Sequence, residues 1–146
     1  MTPRRATKSD MAAILDIWLR SVRATHAFLT DDDIAALAPQ IEPALAGMDV
    51  WIIDMDGAPA GFMAMHGATI EALFIDPDRM GTGLGTKFVE HAAGLAGPGS
   101  EIRVDVNEAN PDAHRFYLSR GFKPVGRSET DRAGRPWPLV HLAMRG

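Results

Sequence analysis

Three glycines set one residue apart, Gly81-Thr82-Gly83-Leu84-Gly85, follow the apolar run Ile70–Ile75 and lead into the helical pattern Leu84, Phe88, Val89, Ala92 and Leu95. A strand, a glycine-rich loop and a helix start in that order can hold an anion. The N–H groups of a helix's first turn have no intrahelical acceptor and lie at the positive end of its dipole. Glycine in turn lets a phosphate approach the backbone closely. The spacing argues against two familiar phosphate loops. A Walker A loop places Lys directly after its last glycine, whereas Thr86 separates Gly85 from Lys87. A dinucleotide fingerprint needs two residues between its last glycines, and here one stands at each step. Taken alone, the loop also reads as a tight strand-to-helix turn without a ligand.

A second group with chemical content is Asn110-Pro-Asp-Ala113-His-Arg-Phe116-Tyr117-Leu-Ser-Arg-Gly121-Phe122. Asn110 is an N-cap residue, Pro111 suits a first helical turn, and Gly121 suits a left-handed exit from the helix. Ala113 and Phe116 then pack on a sheet, and Tyr117 is a ring with a titratable tip, or simply an aromatic core residue. The five histidines have no metal-ligand spacing and there is no cysteine, so no metal site, disulfide or thiol nucleophile is expected.

These groups need a scaffold. A chain of 146 residues with 46% hydrophobic and 23% charged residues fits one compact domain over residues 1–146. A net charge of -4 argues against a nucleic-acid partner. The N-terminus lacks a signal-like apolar core and no apolar run is long enough to span a bilayer, so no membrane partner and a cytoplasmic location are expected.

Met11, Ile14, Leu15, Trp18 and Val22 mark a first helix starting near Ser9 and Asp10. Thr30-Asp31-Asp32-Asp33 caps a second, which Pro39 and Pro43 are expected to break or kink. Strands at residues 50–53, 61–65 and 70–75 form an antiparallel meander whose first turn is Asp56-Gly57. The helix after Gly83 ends at Gly97-Pro98-Gly99, and the alternating strand Ile102–Val106 follows it, which favours a parallel pair with 70–75. Two further strands, from Phe122 and from Leu139, close the chain around a polar turn.

Together the two motifs resemble the GNAT superfamily of acetyl-CoA-dependent N-acetyltransferases. The glycine loop resembles that family's Arg/Gln-x-x-Gly-x-Gly/Ala. The later segment matches Asn-x-x-Ala-x-x-Phe-Tyr-x-x-x-Gly-Phe at each specified position. One position departs: Met80 stands where the family has Arg or Gln, with Arg79 one residue upstream.

The resemblance implies an α/β (α+β) fold with a mixed, mostly antiparallel sheet of about 6–7 strands and about 4 helices. The fourth and fifth strands would be parallel and splayed at the cofactor site. It implies acetyl-CoA as cosubstrate, held by Leu73, Phe74 and Ile75 of the splayed strand, by Met80, Gly81, Thr82, Gly83, Leu84, Gly85 and Thr86 of the loop, and by Asn110, Phe116 and Tyr117. Tyr117 would protonate the leaving thiolate, and Glu71 would serve as general base through water, with His66 and His141 as alternatives.

Trp18, Arg23, His26, Phe28 and His66 are candidates for the acceptor pocket, although Trp18 and Phe28 read equally as core. Trp137 and His141 could lie at its rim. The acceptor is a small-molecule or peptide amine, and the assembly a monomer or homodimer. A coenzyme A-binding module without catalysis, and a nucleotide-binding protein, are the other functional classes open to this sequence.

Overall fold

The structure, a computed structural model, describes residues 2–145. Two N-terminal arginines, too short a run to read as a strand, form β1 (Arg4–Arg5), antiparallel to β2 (Asp49–Met55). α1 (Met11–Thr25) and α2 (Asp31–Leu45) follow β1, and β3 (Ala58–His66) and β4 (Thr69–Ile75) follow β2. After α3 (Leu84–Ala96) come β5 (Glu101–Asn107), α4 (Pro111–Ser119), β6 (Lys123–Ser128) and β7 (Leu139–Arg145). The seven strands are ordered β1-β2-β3-β4-β5-β7-β6. The β4–β5 pair is parallel, as its helical crossover requires.

The chain divides into two compact units, Met1–His66 with Glu71–Phe88, and Gly67–Ile70 with Val89–Gly146. In the first, Ile14, Ile17, Trp18 and Val22 recur at helical spacing along α1. They form one buried core with Ile34 and Leu45 of α2 and Ile52, Phe62 and Ala64 of β2 and β3. Each such side chain contributes about 1.5–3 kcal/mol by leaving water. The turn between β2 and β3 has Asp56 and Gly57 at φ 55° and 79°, the pair of positive values that an Asp-Gly hairpin turn needs.

Of the expected break or kink in α2, the break does not occur, for the helix runs continuously through Pro39 and Pro43. Both prolines, and Ala35 one turn before the first, are exposed, so water can reach the carbonyls that lose a partner. Thr30 and Asp33 also close a capping box at its start, at 3.1 and 3.0 Å.

In the second unit, Ile102, Val104 and Val106 of β5 are buried and alternate with Arg103 and Asp105 on the other face. α4 starts at Asn110, whose side chain accepts from the Ala113 N–H at 3.2 Å, and leaves through Gly121 at φ 100°. Leu95, expected to face inward from α3, is exposed in that helix's last turn.

Two details of the first unit position the glycine loop. Arg20 of α1 grips Asp76 with two bonds, Nη1 to Oδ1 at 2.7 Å and Nη2 to Oδ2 at 2.8 Å, just where β4 becomes the loop. Beside it the buried Ser21 donates to the Ile75 carbonyl at 2.9 Å. Gly61 of β3 lies so close to β4 and α3 that a Cβ there would meet Ile75 Cδ1 at 2.9 Å, Phe74 O at 3.0 Å and Phe88 Cε2 at 3.2 Å.

Gly61→Ala is therefore expected to destabilise the chain by about 1–3 kcal/mol through overpacking, read as a lower midpoint in chemical denaturation. An unchanged midpoint would mean that β3 and β4 separate freely there. Asp76 provides a pH test. Hydrogen bonds from Arg20 are the main cause holding its carboxyl below the ordinary 3.8. The folded state thus binds the proton less readily than the unfolded, so this stabilisation is full above the ordinary value and is lost as pH falls below it. Asp76→Asn should lower stability at neutral pH by roughly 1–2 kcal/mol, a figure reduced by the partial exposure of Arg20. The gap from the parent chain should narrow below about pH 4, as denaturation at two pH values would reveal.

Candidate active site

In the first unit the glycine loop begins with a 3-10 turn at Pro77–Arg79, started by the Asp76 carboxylate accepting the Asp78 N–H at 2.9 Å. Gly81 and Gly83 take φ values of 78° and 82°, which side-chain-bearing residues rarely adopt. No atom lies within 4 Å of a Cβ built at either, so the loop has open space above its backbone. α3 begins directly afterwards, and its first backward bond beyond the loop runs from the Lys87 N–H to Gly83 O at 3.2 Å. Glycines in this conformation before a helix start form a concavity of backbone N–H groups suited to an anion.

Met80, at the departing motif position, is exposed. Arg79 next to it pairs with Asp56 at 2.9 Å rather than standing unengaged beside the loop.

Leu73, Phe74 and Ile75 are half-buried residues at the loop end of β4. The parallel register is Thr69↔Arg103 and Ile70↔Val104, and it stops there although β4 continues to Ile75. Glu71 is a half-buried residue of the same strand, and His66 is exposed at the end of β3.

The Phe74 ring stacks at 5.5 Å on Phe62 and 6.1 Å from His26, which in turn lies 5.4 Å from Phe28. Burial pushes the His26 imidazole down from its ordinary value, favouring the neutral ring. His26, Phe28 and Phe74 are thus brought together. Trp18 instead lies in the α1–α2 core, and Arg23 is exposed on α1.

In the second unit Asn110, Phe116 and Tyr117 meet around α4. Tyr117 is buried, with its ring edge-on to Phe116 at 5.1 Å and Phe122 at 5.2 Å. Burial raises its phenol above the ordinary 10 and so favours the protonated form.

The sequence reading missed one constellation. His141 of β7 stands opposite Asp105 of β5 and opposite Gly126 of β6. Its Nδ1 lies 2.6 Å from Asp105 Oδ1, and its Nε2 lies 2.6 Å from Ser128 Oγ. Arg132 Nη2 donates to Asp105 Oδ2 at 2.9 Å. Asp105 and His141, with Thr69, Arg103, Arg132 and Leu142, line an open cavity of about 260 Å³. The sequence singles out His141, as an alternative base and a rim residue, but its partners depend on strand register. Trp137, a rim candidate, is half-buried with the Arg135 guanidinium 5.5 Å over its ring. Among the described residues no three or more His, Cys, Asp or Glu are grouped to hold a metal. No helix of the described residues is long and apolar enough to cross a membrane.

The glycine loop thus stands open before a helix start, and β4 runs on past its last pair with β5. The family model described as "Acetyltransferase (GNAT) domain" matches residues 20–144. Peptidyl-lysine N-acetyltransferase YjaB of Escherichia coli is 40% identical over 144 residues, covering 98% of this chain and 96% of that protein. Its apo-form solution structure aligns with a TM-score of 0.88, covering 99% and 97% of the two chains. The YjaB enzyme of Salmonella typhimurium is 43% identical over 140 residues, covering 95% and 94%. In fold, the chain is also similar to the Salmonella typhimurium putative acetyltransferase yncA, solved with acetyl-CoA (TM-score 0.68, 24% identity, coverage 99% and 93%). With a family match across most of its length and such relatives along nearly all of it, the chain belongs to the GNAT superfamily of acetyl-CoA-dependent N-acetyltransferases.

Proposed function

We propose that this N-acetyltransferase acts on the ε-amine of lysine in a protein or peptide. The observation that carries the acceptor is the identity of 40% and 43%, over almost the whole chain, to two enzymes named as peptidyl-lysine N-acetyltransferases. The aromatic surface of His26, Phe28 and Phe74 supports it, since a lysine's methylene stem packs on such rings while its amine stays polar.

Acetyl-CoA supplies the acetyl group as an activated thioester. The backbone of Gly81, Thr82, Gly83, Leu84, Gly85 and Thr86 would hold its diphosphate by N–H donation at the helix start, with Met80 adding apolar contact in place of a cation. The β4 edge at Leu73, Phe74 and Ile75 would pair with its amides as a partner strand does, and a backbone N–H there would polarise the carbonyl. Asn110 and Phe116 would hold the shape of α4 around Tyr117. Tyr117 would give its proton to the departing sulfur, a role its burial favours by keeping the phenol protonated. Direct attack in a ternary complex needs no covalent enzyme intermediate, because alignment of two held substrates supplies much of the rate.

Acetyl-CoA at a hundredfold over its dissociation constant is expected to add about 2.7 kcal/mol of stability, or roughly 5–10 °C in Tm, where ATP and NAD at equal concentration add none. Tyr117→Phe should retain that shift yet lower kcat on blocked lysine peptides about 10²–10⁴-fold, measured by mass spectrometry of the acetylated product. A variant as active as the parent would remove Tyr117 from the chemistry. Acetylation of small amines without any lysine peptide would replace the proposed acceptor.

A further inference from the structure

The amine of a lysine is protonated at neutral pH, and some group must take that proton before nitrogen can attack. Register supplies a candidate in the second unit. Because Asp105 and His141 are directly opposed on β5 and β7, their side chains share one face of the sheet. Gly126, opposite His141 on β6, has no side chain, and a Cβ there would meet the His141 ring at 3.4 Å. That space lets the ring lie across the strands and reach Ser128, two residues along β6.

The hydrogen bonds fix the proton positions. A carboxylate only accepts, so Nδ1 beside Asp105 carries the hydrogen, and in the neutral ring Nε2 is left to accept from the Ser128 hydroxyl. The Ser128 oxygen keeps lone-pair capacity for an incoming N–H donor. The result is a directed chain, Ser128 to His141 to Asp105, with Arg132 fixing the far carboxylate oxygen.

We propose that Ser128, His141 and Asp105 form the proton relay that deprotonates the acceptor amine, which would enter the cavity that His141 and Asp105 border. The inference rests on the lysine N-acetyltransferase reading and assigns its base to this relay rather than to Glu71. The ammonium N–H bond breaks towards Ser128 Oγ as the Ser128 hydroxyl proton passes to His141 Nε2, and the Asp105 carboxylate stabilises the imidazolium. The freed pair on nitrogen forms the bond to the acetyl carbon. The carbon–sulfur bond then breaks with its pair on sulfur, which takes the Tyr117 proton. The second proton on nitrogen passes back to the Tyr117 phenolate, leaving a neutral amide, and His141 releases its proton to solvent. The charged and polar groups around the ring are Asp105 and Arg103 from β5, Arg132 from the β6–β7 connection, Ser128 from β6 and Thr69 from β4. Arg103 is itself paired with Glu101 at 2.5 Å.

The test compares the parent chain with His141→Gln, Asp105→Asn, Ser128→Ala and Glu71→Gln on a blocked single-lysine peptide at saturating acetyl-CoA. The profile of kcat/KM is followed from neutral to alkaline pH, with the acetyl-CoA thermal shift as the check on folding. His141→Gln should keep the thermal shift, lose about 10²–10⁴-fold at neutral pH, and recover towards the parent as pH approaches the ordinary lysine value of about 10.4. Ser128→Ala and Asp105→Asn should lose less with the same alkaline recovery, and any loss in Glu71→Gln should show no alkaline recovery. A parent-like profile in His141→Gln, or the pH-dependent loss appearing in Glu71→Gln instead, overturns the relay. If His141→Gln loses the thermal shift, parent-like profiles in Ser128→Ala and Asp105→Asn overturn it equally. If the parent chain acetylates a small amine but no lysine peptide, the acceptor reading fails, and the same comparison on that amine still judges the relay.

Discussion

The parallel ladder at the heart of this fold consists of two pairs, Thr69↔Arg103 and Ile70↔Val104, while β4 itself runs on to Ile75. Backbone polar groups rarely go unsatisfied inside proteins, so the rest of that strand must find other partners. At its far end it does so within the first unit. The Ile75 carbonyl takes the Ser21 hydroxyl, and the next N–H, from Asp76, donates to Ala60 O at 2.8 Å. Leu73 and Phe74 lie between these two fixed regions, and the proposed role of this edge is to pair with the amides of an extended ligand.

Holding a strand end and a glycine loop in place takes a rigid neighbour. α1 supplies it, for its apolar stripe anchors the helix in the core while Arg20 and Ser21, near the turn that faces β4, bind the strand end and Asp76. Scaffold and site therefore meet in consecutive residues of one helix. The same pattern recurs in α4, where the cap at Asn110 and the exit at Gly121 set the length of helix that carries Tyr117.

Features set by a residue and its near neighbours were legible in the sequence. The left-handed exit at Gly121, the caps at Thr30 and Asn110 and the Asp-Gly turn were all readable from residue type. The order of the two motifs was enough to place the chain in its family. Features set by register were not readable. Arg20 and Asp76 are 56 residues apart, and Asp105 and His141 are 36 apart, so neither pair has a local signature. Propensity also misled where solvent decides. Two prolines interrupt a helical pattern on paper, yet on an exposed face the carbonyls they orphan can turn to water, and α2 persists.

Alternation along β5 ties fold to chemistry more tightly than any single contact. Ile102, Val104 and Val106 occupy one face and are buried, which commits Arg103 and Asp105 to the other. A slip of one residue against β7 would drive a carboxylate into the core and bring apolar side chains out, so burial specifies the register strongly. That same register puts Asp105 opposite His141, and His141 opposite Gly126 of β6. Burial of three apolar side chains thus sets the place of a polar chain that no local signal specifies.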